Sequence, residues 1–114
     1  MVTYRNELSV TPGGRAVVIN LSQRDTNVTL IFDLYSVTGD LNIQSNSSVV
    51  LSGHHFKDNS SFSINGTISG NTATFVGNSD LTSVPGKAIA EVTITKSDKR
   101  LSTSNFIFDI EPAA

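Results

Sequence analysis

The sequence predicts an all-β fold: an antiparallel β-sandwich, immunoglobulin-like or jelly-roll-like, of about eight strands. Three observations carry this. Apolar residues alternate with polar ones at period two along most of the chain, and helical periodicity is hard to find. Turn residues punctuate the alternating runs at short intervals. Polarity comes from Ser, Thr and Asn, with only 16% of residues charged against a usual share of about a quarter.

The first two candidate strands, Tyr4–Val10 and Arg15–Leu21, are split by Pro12-Gly13-Gly14. In Asn27–Ser36, Val28, Leu30, Phe32 and Leu34 share one face, and Thr29, Ile31, Asp33 and Tyr35 share the other. Thr38-Gly39-Asp40 is turn-like and leads towards a shorter candidate, Ser48–Gly53. Phe62–Ser69 places Phe62, Ile64 and Ile68 inward, and Asn65-Gly66 within it marks a bulge. Gly70-Asn71 reads as a two-residue hairpin turn into Thr72–Gly77. Pro85-Gly86 suits the centre of a type II turn. Lys87–Thr95 then turns Ala88, Ala90, Val92 and Ile94 inward. Ser97-Asp98-Lys99-Arg100 reads as a charged tip before Asn105–Glu111, which buries Phe106, Phe108 and Ile110.

At 114 residues and 12.2 kDa the chain suits one domain, 1–114, with enough length for a core that needs no staple. Cys is absent, which excludes disulfides, thiolate metal sites and cysteine catalysis. A net charge of -2 and a pI near 5.5 argue against a nucleic-acid footprint. The longest apolar run, Ala16-Val17-Val18-Ile19, is far short of a membrane span, and the start at Met1 carries no secretory pattern. Five N-x-[ST] sequons, at Asn20, Asn27, Asn46, Asn59 and Asn65, are read as unused.

No chemistry stands out. His54 and His55 are the only histidines. On a strand they would point to opposite faces, and in a loop they would converge with Asp58; the exposed loop pair is the reading preferred here. A catalytic zinc site normally needs three protein ligands, and there is no third histidine. Sixteen Ser residues place a Ser near a His almost by default, yet no G-x-S-x-G elbow is present. The ten carboxylates are scattered, and no phosphate-cradling motif occurs. The expectation is therefore a protein that is not an enzyme and needs no cofactor or metal. Most Phe residues fall on inward faces, which leaves Tyr4, Tyr35 and Phe56 as surface aromatics. The polar tips hold Asp25, Lys57, Asp58, Lys87, Lys96, Asp98, Lys99 and Arg100. A docking surface is expected among Asp25, Tyr35, His54, His55, Phe56, Lys87 and Lys99. Two alternatives stand beside it: a carbohydrate-binding sandwich with a patch around Tyr35, Phe56 or the two histidines, and a metal-assisted enzyme centred on His54, His55 and Asp58.

Several runs form a longer pattern. Arg24-Asp25-Thr26 precedes Leu30-Ile31-Phe32; Val49-Val50-Leu51-Ser52-Gly53 precedes Phe62 to Gly70. Then come Val84-Pro85-Gly86-Lys87 with Ala90-Glu91-Val92, and the closing Leu101-Ser102-Thr103-Ser104-Asn105-Phe106-Ile107-Phe108. In this order they resemble the N-terminal domain of phage baseplate upper proteins, the BppU family of tail structural proteins from phages of Gram-positive bacteria. The likeness covers residues 15 to 111, and residues 1 to 14 match no part of it. It implies a β-sandwich anchored to the tail hub through the distal tail protein or other baseplate proteins. It also implies a link to the receptor-binding protein. Self-association in the virion as a trimer or ring is expected from edge strands that could pair with a neighbour, and the charge and apolar pattern lead to no expected nucleic-acid or membrane partner. The chain lacks the C-terminal part that would carry the receptor-binding apparatus, so it looks like an isolated domain or a minimal adaptor. The location implied is the tail baseplate of the virion, assembled in the reducing host cytoplasm, where a chain without Cys is at home.

Overall fold

The computed structural model describes residues 2–10, 17–25, 27–36, 47–96, 99–103 and 105–113. The turns expected at Pro12-Gly13-Gly14 and Thr38-Gly39-Asp40, and Ser97-Asp98 of the charged tip, lie outside these. The described residues hold nine strands: β1 Val2–Ser9, β2 Val18–Ser22, β3 Val28–Tyr35, β4 Ser48–His55, β5 Ser61–Ser69, β6 Thr72–Val76, β7 Gly86–Lys96, β8 Lys99–Ser102 and β9 Phe106–Glu111. One short helix, α1 Ser79–Thr82, precedes β7.

The strands follow the order β1-β3-β6-β5-β4-β7-β9-β2, with β8 beside β7, and the mostly antiparallel sheet curls nearly into a barrel. Strand β5 belongs to both halves. Its first part, Ser61 to Gly66, pairs with β4, and its last part, Thr67 to Ser69, pairs with β6. The change of partner falls at Gly66, where the sequence suggested a bulge. A Cβ there would lie 2.5 Å from the Phe75 ring and 2.5 Å from the Thr74 carbonyl oxygen, so only Gly lets the strand cross so close to β6.

Two pairs depart from the expected antiparallel scheme: β1 runs parallel to β3, and β2 runs parallel to β9. Parallel neighbours need a crossover between them. Here the chain leaves β1 on one half, forms β2 on the far edge of the other, and returns to β3 beside β1. Alternation reveals which face of a strand is buried, not which strand lies next to it.

Facing residues fill the space between the halves. The β3 burial pattern is strictly alternating, with Val28, Leu30, Phe32 and Leu34 buried. In β7 the inward positions Ala88 and Ala90 are small because they lie opposite Phe108 and Phe106 of β9. A run of rings crosses the core from one half to the other. Phe75 meets Phe32 at 6.0 Å between centroids, and Phe32 meets Phe106 at 5.2 Å. Phe106 meets Phe108 at 5.3 Å, Phe108 meets Phe62 at 6.2 Å, and Phe62 meets His55 at 5.3 Å. The tilted and edge-on contacts suit the ring quadrupoles.

Turn chemistry follows expectation where it is described. Gly70 has φ 59° in the β5–β6 hairpin, and Gly86 has φ 100° after Pro85. Two elements were not anticipated. In α1, Asn78 caps the helix by accepting from the Leu81 N–H at 3.2 Å, and Leu81 is fully buried. Residues Lys99 to Ser102, read as part of a charged tip and its exit, form β8 against the end of β7. Thr103 then replaces a ladder partner: its Oγ1 accepts from the Val92 N–H at 3.0 Å, and its own N–H donates to the Val92 carbonyl at 2.9 Å.

On the outer face of the β1–β3 half, Arg5 grips Asp33 with both ends of its fork, at 2.7 and 2.9 Å, and Thr72 Oγ1 donates to the same carboxylate at 3.0 Å. The Arg5 hydrogen bond holds the Asp33 carboxyl below its ordinary value; partial burial opposes it, and Thr72 and the Arg5 charge add to it. A carboxyl whose folded value is depressed stabilises the protein above its unfolded value and loses that contribution as pH falls through the folded one. Arg5→Ala is thus expected to lower stability slightly at neutral pH, the effect being small because the pair is exposed. The difference from the parent should close as pH falls below the ordinary Asp range and through the depressed folded value. A melting series across pH checks this, and a gap that persists at acid pH would remove the ion pair as its cause.

Candidate docking surface

The sequence-selected residues separate into distinct places. Asp25 closes the turn after β2: its N–H donates to the Ser22 carbonyl at 2.9 Å, and its carboxylate accepts from the Ser22 N–H at 3.3 Å. Burial, then the Asp25 charge and hydrogen bond, pushes the Tyr4 phenol above its ordinary value. Tyr35 ends β3 opposite Ser9, half-buried, on the β1–β3 half. Lys99 opens β8 opposite Lys96.

His54, His55, Phe56 and Lys87 come together at the junction of β4 and β7. The two histidines are not a loop pair. They end β4, and the strand sends them to opposite faces: His54 is exposed and His55 is only 1% exposed. His55 therefore offers nothing to a partner. Its Nε2 lies 2.8 Å from the Asp80 carbonyl oxygen, which only accepts, so Nε2 carries the proton and ties α1 to β4. Nδ1 is buried without a partner among the described residues. Asp58 is engaged elsewhere, accepting from the Ser60 hydroxyl at 2.6 Å and its N–H at 3.0 Å, contacts that hold its carboxyl below the ordinary range. The three groups of the metal alternative thus have separate tasks. Among the described residues no group of three His, Cys, Asp or Glu could hold an ion.

The turn from His55 to Ser60 presents Phe56. The Ser60 carbonyl accepts from the His55 N–H at 2.8 Å, and Asn59 takes φ 63°. The Phe56 N–H donates to the Lys87 carbonyl at 3.0 Å, which continues the β4–β7 ladder one step beyond β4. Phe56 consequently lies on the same outer face as His54, their rings 5.9 Å apart edge to face, with Phe56 53% exposed.

That outer face holds a feature the sequence reading missed. Register places Val18 of β2 beside Ile107 of β9, Ile107 beside Ile89 of β7, and Ile89 beside His54 of β4. Four strands thereby contribute one outward row, apolar except at its His54 end. Val18 is 57% exposed, and Ile89 and Ile107 are partly covered. On one side of the row lie Phe56, Lys87, Asp109 and Asn20; on the other lie Ser52, Glu91 and Asn105. The second side includes an open depression of about 350 Å³ lined by Ser52, His54, Ile89, Glu91 and Asn105, among others. A signal was available in β7, where small Ala88 and Ala90 point inward while the larger Ile89 between them points out.

Among the described residues, then, the molecule is an all-β module with an outer apolar row edged by charges. The chain shares its fold with a phage protein domain: it superposes on the N-terminal domain of phage TP901-1 ORF48 with a TM-score of 0.74, covering 97% of this chain and 99% of that one at 14% identity. No family model and no curated protein matches the chain.

Proposed function

We propose that this chain is a structural module of a phage tail that works by docking, without catalysis. In this reading it binds the baseplate hub through the distal tail protein and links the hub to the receptor-binding apparatus, within virions assembled in the host cytoplasm. The observation that carries the reading is the end-to-end fold likeness to a phage protein domain. The ordered sequence resemblance to baseplate upper proteins, which spans 15 to 111, supports it from a separate direction. An exposed aromatic beside a partly covered apolar row is the composition that contact surfaces favour.

The test is the mass of the purified chain, alone and mixed with the distal tail protein encoded by the same phage, by light scattering after gel filtration. A stable complex of the two proteins is expected. A chain that elutes unchanged beside the hub protein overturns hub docking, and glycan binding by the same chain would favour the carbohydrate reading.

A further inference from the structure

We propose that the outer face of β4, β7, β9 and β2 is a two-fold interface for a second copy of this chain. A face-to-face dimer has its two-fold axis in the plane of the contact, and an axis laid along the row brings each row residue over its own copy. Ile89 meets Ile89, Ile107 meets Ile107, and Val18 meets Val18. The same operation exchanges the two sides of the row.

The two sides complement each other under that exchange. Lys87 and Glu91 are outward residues of β7 placed about 7 Å either side of Ile89. The axis sets the Lys87 of one copy over the Glu91 of the other, twice per dimer. Among the described residues neither side chain has an ion pair in the monomer. Lys87 lies opposite Asp109, which the axis sets over the neutral Asn105 of the other copy, so no like charges are brought together there. Phe56, 53% exposed, lies on the Lys87 side, and the depression edged by Ser52, Ile89 and Glu91 lies on the other. The exchange carries each Phe56 towards the depression of its partner. An apolar row, a charge pair and a projecting ring are thus all satisfied by one symmetry operation. The inference goes beyond hub docking and is tested without the hub protein.

The experiment is sedimentation equilibrium of the full chain from micromolar to millimolar concentration. A mass rising towards twice 12.2 kDa is expected. Phe56→Ala should raise the dissociation constant by about tenfold. K87E and E91K should each weaken dimerisation, since each sets like charges opposite one another. Two combinations should restore it: the double variant K87E/E91K, and an equimolar mixture of the K87E and E91K chains, which pairs all four charges correctly only as a heterodimer. Circular dichroism melts confirm that these surface variants stay folded. A chain monomeric throughout, a dimer indifferent to the single swaps, or a mixture no tighter than either single variant would overturn the proposal.

Discussion

Phe32→Ala is expected to lower the free energy of unfolding by about 3–5 kcal/mol. Phe32 is fully buried on β3 and is the ring through which the two halves of the core touch, with Phe75 on one side and Phe106 on the other. Truncation removes the buried ring area and leaves a cavity that β-sheet backbones on both sides cannot collapse to fill. A small domain has about 5–15 kcal/mol in total, so this change takes a large share of it. Urea unfolding reads the effect as a lower midpoint at an unchanged slope. A loss under about 1 kcal/mol would mean that the halves are held together without this bridge.

Gly53→Ala is the second large effect, and it comes from crowding. Gly53 occupies an inward position of β4, where a Cβ would run into the Ile89 carbonyl oxygen and lie 2.8 Å from the Phe62 ring and 2.9 Å from the Ala90 Cα. Two of these neighbours are backbone of β7 and cannot swing aside as a side chain can. The strands must part along the pairing that runs from Ser48–Thr95 to His55–Ala88. Overpacking of this kind costs about 1–3 kcal/mol, and the backbone contacts place Gly53 at the upper end. The same shift moves His54 and Ile89, so the outer row should be disturbed as well. A thermal melt of Gly53→Ala checks the first consequence, and its self-association checks the second. An unchanged melting temperature would mean that β4 and β7 lie further apart than described.

Much of the fold was legible because one face of each long strand is buried. Val28, Leu30, Phe32 and Leu34 could alternate in only one way, and the Phe106-x-Phe108-x-Ile110 pattern likewise announced its strand. The parallel placements of β1 and β2 were not legible, because they depend on which half of the sheet each strand joins. Strand β8 escaped because Lys99, Arg100, Leu101 and Ser102 show no clear alternation; it is held by the end of β7. Helix α1 is four residues long, too short for a helical period.

The candidate surface was legible in part for a different reason. Phe56 and Lys87 were selected as exposed, and the structure brings them side by side across β4 and β7. His54 and His55 were read as a loop pair beyond a candidate strand that ended at Gly53. Carrying the strand two residues further would have sent His55 inward. The row of Val18, Ile107, Ile89 and His54 comes from four strands distant in sequence, and only the register assembles it.

The most direct test of the proposed role is made on the virion. The proposed role has a phage encode this chain; particles of that phage would be purified, probed with antibody against the chain, and imaged by electron microscopy. The proposed role predicts label confined to the tail tip and the intact chain in the particle proteome. Particles that lack the chain, or carry it only on the capsid, would contradict it.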